Sequence, residues 1–143
     1  MTETIFKLYM SDSLPKYNAL KEKISKSENI VMDTEATYDA AFAYSDALIS
    51  DLSSLIEQFM LMDKPVLMLT KDTIAKSKEK FATMDGLYDF SLIPFAKENK
   101  DIKDFIEEIS SGIDEWESER KEFLSKCFTL ADGNCGKRVA EEV

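Results

Sequence analysis

A chain of 143 residues can hold one domain with a proper core and is too short for two. A hydrophobic fraction of 44% beside a charged fraction of 32% marks it as globular rather than disordered. Eighteen basic residues against 28 acidic ones leave a net charge of −10. That charge opposes binding to a phosphate backbone and an electrostatic grip on anionic lipid, so nucleic acid is not expected as a partner.

No run approaches the roughly 18 apolar residues of a membrane span. The first residues, with Glu3 and Lys7 among them, do not read as a secretion signal, so a cytoplasmic location is expected. Cys127 and Cys135 are the only cysteines and there is no histidine. Zinc sites of the cysteine/histidine type and imidazole chemistry are therefore excluded, and both thiols are expected to be reduced.

In chain order, Thr4 to Met10 is β-rich and predicts a first strand. Ser11-Asp12-Ser13 with Pro15 starts a helix to about Lys26, with Leu14, Tyr17, Leu20 and Ile24 on one face. Asn29 to Met32 predicts a short second strand. Thr34 to Thr37 can cap a brief helix carrying Tyr38, Ala41, Phe42 and Tyr44.

Ala47 to Ser50 predicts a third strand and Ser54 to Met62 a helix, broken at Asp63-Lys64-Pro65. Val66 to Leu69 is a continuous apolar run and reads as a buried fourth strand. The polar, lysine-rich segment from Lys71 to Lys80 predicts a loop or a solvated helix. Met84 to Phe95 predicts an ordered loop with a short edge strand near Leu92-Ile93. Ile102, Phe105, Ile106 and Ile109 give an amphipathic helix ended by Gly112. Trp116, Arg120, Phe123, Leu124, Cys127 and Phe128 form the stripe of a second long helix. A turn at Asp132-Gly133-Asn134 precedes a short last helix.

This alternation implies a single α/β domain over 1–143: a three-layer, Rossmann-like parallel sheet of about four strands, helices on both faces and a helical C-terminal tail. The stretch from Ala47 to Met60 is its centre, a strand, turn and helix whose turn falls at the carboxyl edge of the sheet, where α/β proteins place ligands. Ser53 and Ser54 offer hydroxyls and backbone N–H groups to an anionic oxygen. The same residues have a plainer reading, because Ser54-Leu55-Ile56-Glu57 fits a capping box. There is no Gly-rich phosphate loop. The acidic clusters Glu107-Glu108 and Glu115 to Glu122 read as solvated helix faces, with no metal or cofactor implied. A serine nucleophile would lack an activating histidine, which argues against a self-contained hydrolase.

Ala43 to Ser54, followed by Asp63-Lys64-Pro65-Val66, resembles the "SDxLITDYSS … DKP" signature of the CDP-glycerol glycerophosphotransferases, the teichoic-acid polymerases and primases. Asp72, Gly86-Leu87-Tyr88-Asp89-Phe90 (for a "GFYFDY"-like loop) and Asp132-Gly133-Asn134 with Arg138-Val139 (for "DGxAxxRV") follow in the same order. The resemblance runs from about Phe6 to the end. It implies the later part of the C-terminal, nucleotide-binding half of a glycosyltransferase-B type fold, with the active site in the cleft between two halves. It puts Ser53 and Ser54 at the donor pyrophosphate of CDP-glycerol, with Asp51, Lys7, Tyr9 and Asp72 as candidate neighbours. Three positions depart from the family: Leu52 for a tyrosine, Gln58 for an aspartate, and Tyr9 for a histidine.

The resemblance also implies that the catalytic base belongs to an N-terminal half or a partner chain, so the segment is not expected to transfer glycerol phosphate alone. Two other functions remain open. One is a non-catalytic interaction module that keeps the fold, favoured by Tyr9, Leu52 and Gln58. The other is an enzyme like the nucleoside deoxyribosyltransferases, with Asp51 or Glu57 as the carboxylate nucleophile.

Overall fold

The computed structural model describes residues 11–51, 53–69, 90–128, 130 and 132–142. The predicted strand at Thr4–Met10, the lysine-rich segment 71–80 and the first half of the loop 84–95 lie outside them. Two compact units emerge, Met1–Tyr44 and Ser45–Val143.

In the first unit, a 3-10 turn at Ser11–Ser13 leads into α1, Leu14–Ser25, with Pro15 in the first turn, where no amide N–H is needed. A second helix, α2, covers Asp39–Tyr44, with the Tyr38 and Phe42 rings 4.7 Å apart. The strand expected at Asn29–Met32 is not formed; Val31 is 90% exposed. Side-chain turns close both ends of that segment, since Ser27 Oγ accepts from the Asn29 N–H and Asp33 Oδ1 from the Glu35 N–H. Such local bonds offer the backbone an alternative to a ladder, and no described residue of this unit pairs with it. Apolar character alone does not make a strand.

In the second unit, β1 (Leu48–Ser50), β2 (Val66–Leu69) and β3 (Phe95–Ala96) form a parallel sheet in that order, with Leu48 opposite Val66 and Met68 opposite Phe95. This is the expected α/β architecture, with three strands among the described residues. Helix α3, Ser54–Met60, makes the crossover from β1 to β2 and packs against both. Period-two alternation puts Leu67 and Leu69 of β2 on one face. There Leu67, Ala96 and Phe105 form a buried cluster flanked by Ile49, Ile102 and Ile109. That face is covered by α4, Asn99–Ser110. Val66 and Met68, also buried, are left for the opposite face, and Ile56, Phe59 and Met60 of α3 are buried too. Burying each of these large side chains stabilises the fold by roughly 1.5–3 kcal/mol.

The edge strand forms about three residues after its predicted place at Leu92-Ile93. Phe90–Leu92 is a 3-10 turn, and pairing starts where the Pro94 carbonyl accepts from the Met68 N–H at 2.9 Å. Proline has no N–H to give a ladder but a good acceptor. Helix α4 ends at Ser111, and Gly112 follows at φ +74°. The Gly112 N–H reaches the Ile109 carbonyl and the Ile113 N–H that of Glu108, the paired bonds of a Schellman cap. Helix α5, Glu117–Cys127, buries Arg120 and Phe123, and α6 covers Cys135–Glu142.

Candidate functional site

The β1–α3 turn sits at the carboxyl end of β1 in the parallel sheet. Asp51 is exposed directly after the strand, and Ser53 is half-buried in extended backbone, φ −156° and ψ 147°. Its Oγ accepts from the Leu55 N–H at 3.2 Å, making Ser53 the N-cap. Ser54 is exposed and is the first helical residue. This corrects the predicted capping box: with the cap one residue earlier, the third helical position is Ile56, which has no carboxylate to reach back. The Ser54 hydroxyl takes no part in the cap. The other expected neighbours, Lys7, Tyr9 and Asp72, lie outside the described residues, as does Leu52.

The far end of α3 is anchored by Asp63-Lys64-Pro65. Asp63 adopts φ +55°, a left-handed conformation that aspartate tolerates better than most residues. Its N–H bonds the Met60 carbonyl at 2.8 Å and stops the helix. Arg120 Nε bonds Asp63 Oδ1 at 3.1 Å, while Nη1 bonds Asp114 Oδ2 at 2.6 Å. Arg120 is only 4% exposed, so these two carboxylates offset the charge its burial would leave unpaired. Lys64 Nζ donates to the Ser45 carbonyl at 2.7 Å and lies 5.6 Å from the centroid of the buried Phe59 ring. The Pro65 carbonyl accepts from the Leu48 N–H at 3.0 Å. All three residues of this turn thus tie the end of α3 to the start of β1 or to α5. The helical stripe had put Arg120 among apolar residues; an arginine at such a position is the signal that carboxylate partners must exist.

The Asp132-Gly133-Asn134 motif closes on itself. Asp132 Oδ1 accepts from the Asn134 N–H at 3.0 Å, and Arg138 Nη1 reaches both Asp132 oxygens at 2.9 Å. The Asn134 N–H first, and then the Arg138 guanidinium, hold the Asp132 carboxyl below the usual carboxylate range. Gly133 takes φ +72° in this turn. Cys127 is half-buried, and burial, followed by the Glu57 charge, pushes its thiol up; Cys135 is exposed. Among the described residues, no group of three or more histidine, cysteine, aspartate or glutamate side chains could hold a metal ion. No helix among them is long and apolar enough to cross a membrane.

A parallel sheet crossed over by α3, with two small hydroxyls where β1 ends, defines an α/β protein of the Rossmann-like class. The family model for CDP-glycerol:poly(glycerophosphate) glycerophosphotransferases matches residues 15–143, nearly the whole chain, and the protein belongs to that family. Its members are transferases of the glycerophosphotransferase type. No curated protein and no solved structure matches the chain.

Proposed function

We propose that this chain is the donor-binding part of a glycerophosphotransferase of teichoic-acid or related cell-surface polymer synthesis. Its ligand is CDP-glycerol, and the donor pyrophosphate rests at the β1–α3 turn against Ser53 and Ser54. The observation that carries this reading is the position of that turn at the carboxyl edge of a parallel sheet, in a chain of this family. The support comes from that position and not from a helix dipole, since seven residues make a weak one. Asp51, Lys7, Tyr9 and Asp72 are proposed as neighbours of the donor. The single-domain reading of 1–143, and a cytoplasmic place at the inner membrane face, belong to the same proposal.

In the transfer, an acceptor hydroxyl oxygen forms a bond to the glycerol-bearing phosphorus while the phosphorus–oxygen bond to CMP breaks. The acceptor proton passes to a base, and CMP leaves with the bonding electrons. Most of the catalysis in such a displacement is positioning and charge stabilisation. This chain contributes the first by holding the donor; with no histidine in it, the base is assigned to an N-terminal half or a partner chain.

The test is a titration with CDP-glycerol, CDP and CMP, read from backbone amide shifts. Saturable binding that moves the amides of Ser53 to Leu55, and that Ser53→Ala/Ser54→Ala abolishes, is the expected result. Ser54→Ala alone is the cleaner variant because it leaves the cap in place. A folded chain showing no shift at millimolar ligand would sink the donor site. The engagement of Ser53 Oγ in the cap favours a second reading in that event, an interaction module that keeps the fold.

A further inference from the structure

We infer that the Asp63–Arg120 ion pair positions the β1–α3 turn from the opposite end of α3, an inference that rests on reading that turn as the donor site. Helix α3 has seven residues and β1 has three, so each spans only about 10 Å. Elements this short have little length in which to absorb a displacement, so a shift at one end is delivered to the other.

Asp63 is the point where the anchors converge. Its positive φ turns the chain from α3 toward β2, and the adjoining Lys64 and Pro65 bond the Ser45 carbonyl and the Leu48 N–H at the start of β1. The strand between those bonds and Asp51 is too short to decouple its two ends. Arg120 reaches Asp63 from 57 positions along the chain. It is itself held by Asp114 at 2.6 Å and is 5% exposed at its side chain. Arg120 therefore acts as a fixed post rather than a flexible surface cation. Asp63 keeps 56% of its side chain in solvent, so the pair fixes orientation without requiring that both carboxylate oxygens be buried. The arrangement joins the turn after α3 to α5, so that a constraint held by the C-terminal helices reaches the mouth of the sheet.

Asp63→Asn separates the ion pair from the backbone, because asparagine also tolerates a left-handed φ. Asp63→Gly gives a second variant with no ion pair and no backbone strain at all. In the ligand-free chain, both variants are expected to move the amides of Asp51 and Ser53 to Leu55 and leave the far-ultraviolet circular dichroism unchanged. They should also weaken CDP-glycerol binding by roughly tenfold, within the range that residues remote from a ligand can impose. Shifts confined to residues 60–66 and 114–121 would overturn the inference and leave the pair as a simple brace. Should either variant lose the fold, Arg120→Lys, which keeps the charge and loses the planar fork, is read by the same amides. If the unaltered chain binds no donor, the proposed function fails by itself; the ligand-free shifts still decide the positioning role.

Discussion

The two units of the chain differ in what holds them. Every buried apolar side chain among the described residues belongs to Ser45–Val143: Phe59 and Phe123 are fully enclosed, and Ile56, Met60 and Met68 nearly so. No described residue of Met1–Tyr44 is buried, and Val31 and Tyr44 stand almost wholly in solvent. Both stretches carry apolar residues at regular spacing. What separates them is closure: β1, α3 and β2 enclose one another, whereas α1 and α2 enclose nothing among the described residues. Hydrophobic pattern nominates a core, and only mutual coverage makes one.

Substitution tests that contrast directly. Phe59→Ala should cost about 3–5 kcal/mol in urea unfolding, because it removes a fully buried ring of α3. A loss below about 1 kcal/mol would mean that α3 does not need its packing. Ser53→Ala should cost about 1 kcal/mol by removing the N-cap, and Ser54→Ala clearly less; the reverse order would move the cap back to Ser54. Val31→Ser should stay within about 0.5 kcal/mol, and a cost like that of Phe59→Ala would abolish the contrast between the units.

The smallest effect is a local one at the Asp132 turn. Its folded pKa lies below the unfolded value, so the stability from its hydrogen bonds is present above the usual range near 4 and is lost only as pH falls through the lowered value. The Asn134 amide resonance should therefore titrate with a midpoint below that of a free aspartate. A midpoint at about 4 would show that neither the amide nor Arg138 holds the carboxylate.

Much of the second unit was legible in the sequence because its signals are local and redundant. Val66 to Leu69 is apolar without interruption and bounded by Pro65, and it is β2 to the residue. The stripe at Ile102, Phe105 and Ile109 and the stop at Gly112 describe α4 as found, except that Ile106, read into the same stripe, stands 50% exposed; Asp132-Gly133-Asn134 is the turn expected before α6. What failed depended on partners. Asn29 to Met32 has strand composition and no strand to pair with among the described residues, and the edge strand near Leu92 slid past Pro94 to where β2 could bond it. The cap moved from Ser54 to Ser53 because either serine satisfies the pattern, and only backbone dihedrals choose between them. Asp51, Ser53 and Ser54 follow β1 in the chain, so their place was legible once that strand was; their role at the donor is the proposal. The Asp63–Arg120 pair escaped because its two residues lie so far apart along the chain that no window of sequence contains both.

The parallel register has a consequence for how the molecule assembles. None of the three described strands can be closed onto its neighbour by a hairpin; each pairing waits for the chain to cross over and return. The crossover through α3 is the shorter of the two, and loop closure grows costlier with length, so β1 and β2 should join before β3 adds to them. Pulse-labelled hydrogen exchange would reveal that order as protection of the Leu48 amide, bonded to Pro65, ahead of the Met68 amide, bonded to Pro94. Simultaneous protection would instead mean that the sheet condenses in one step. On the ribosome the same order follows the direction of synthesis, and the edge of β2 stays open to other chains until Phe95 arrives.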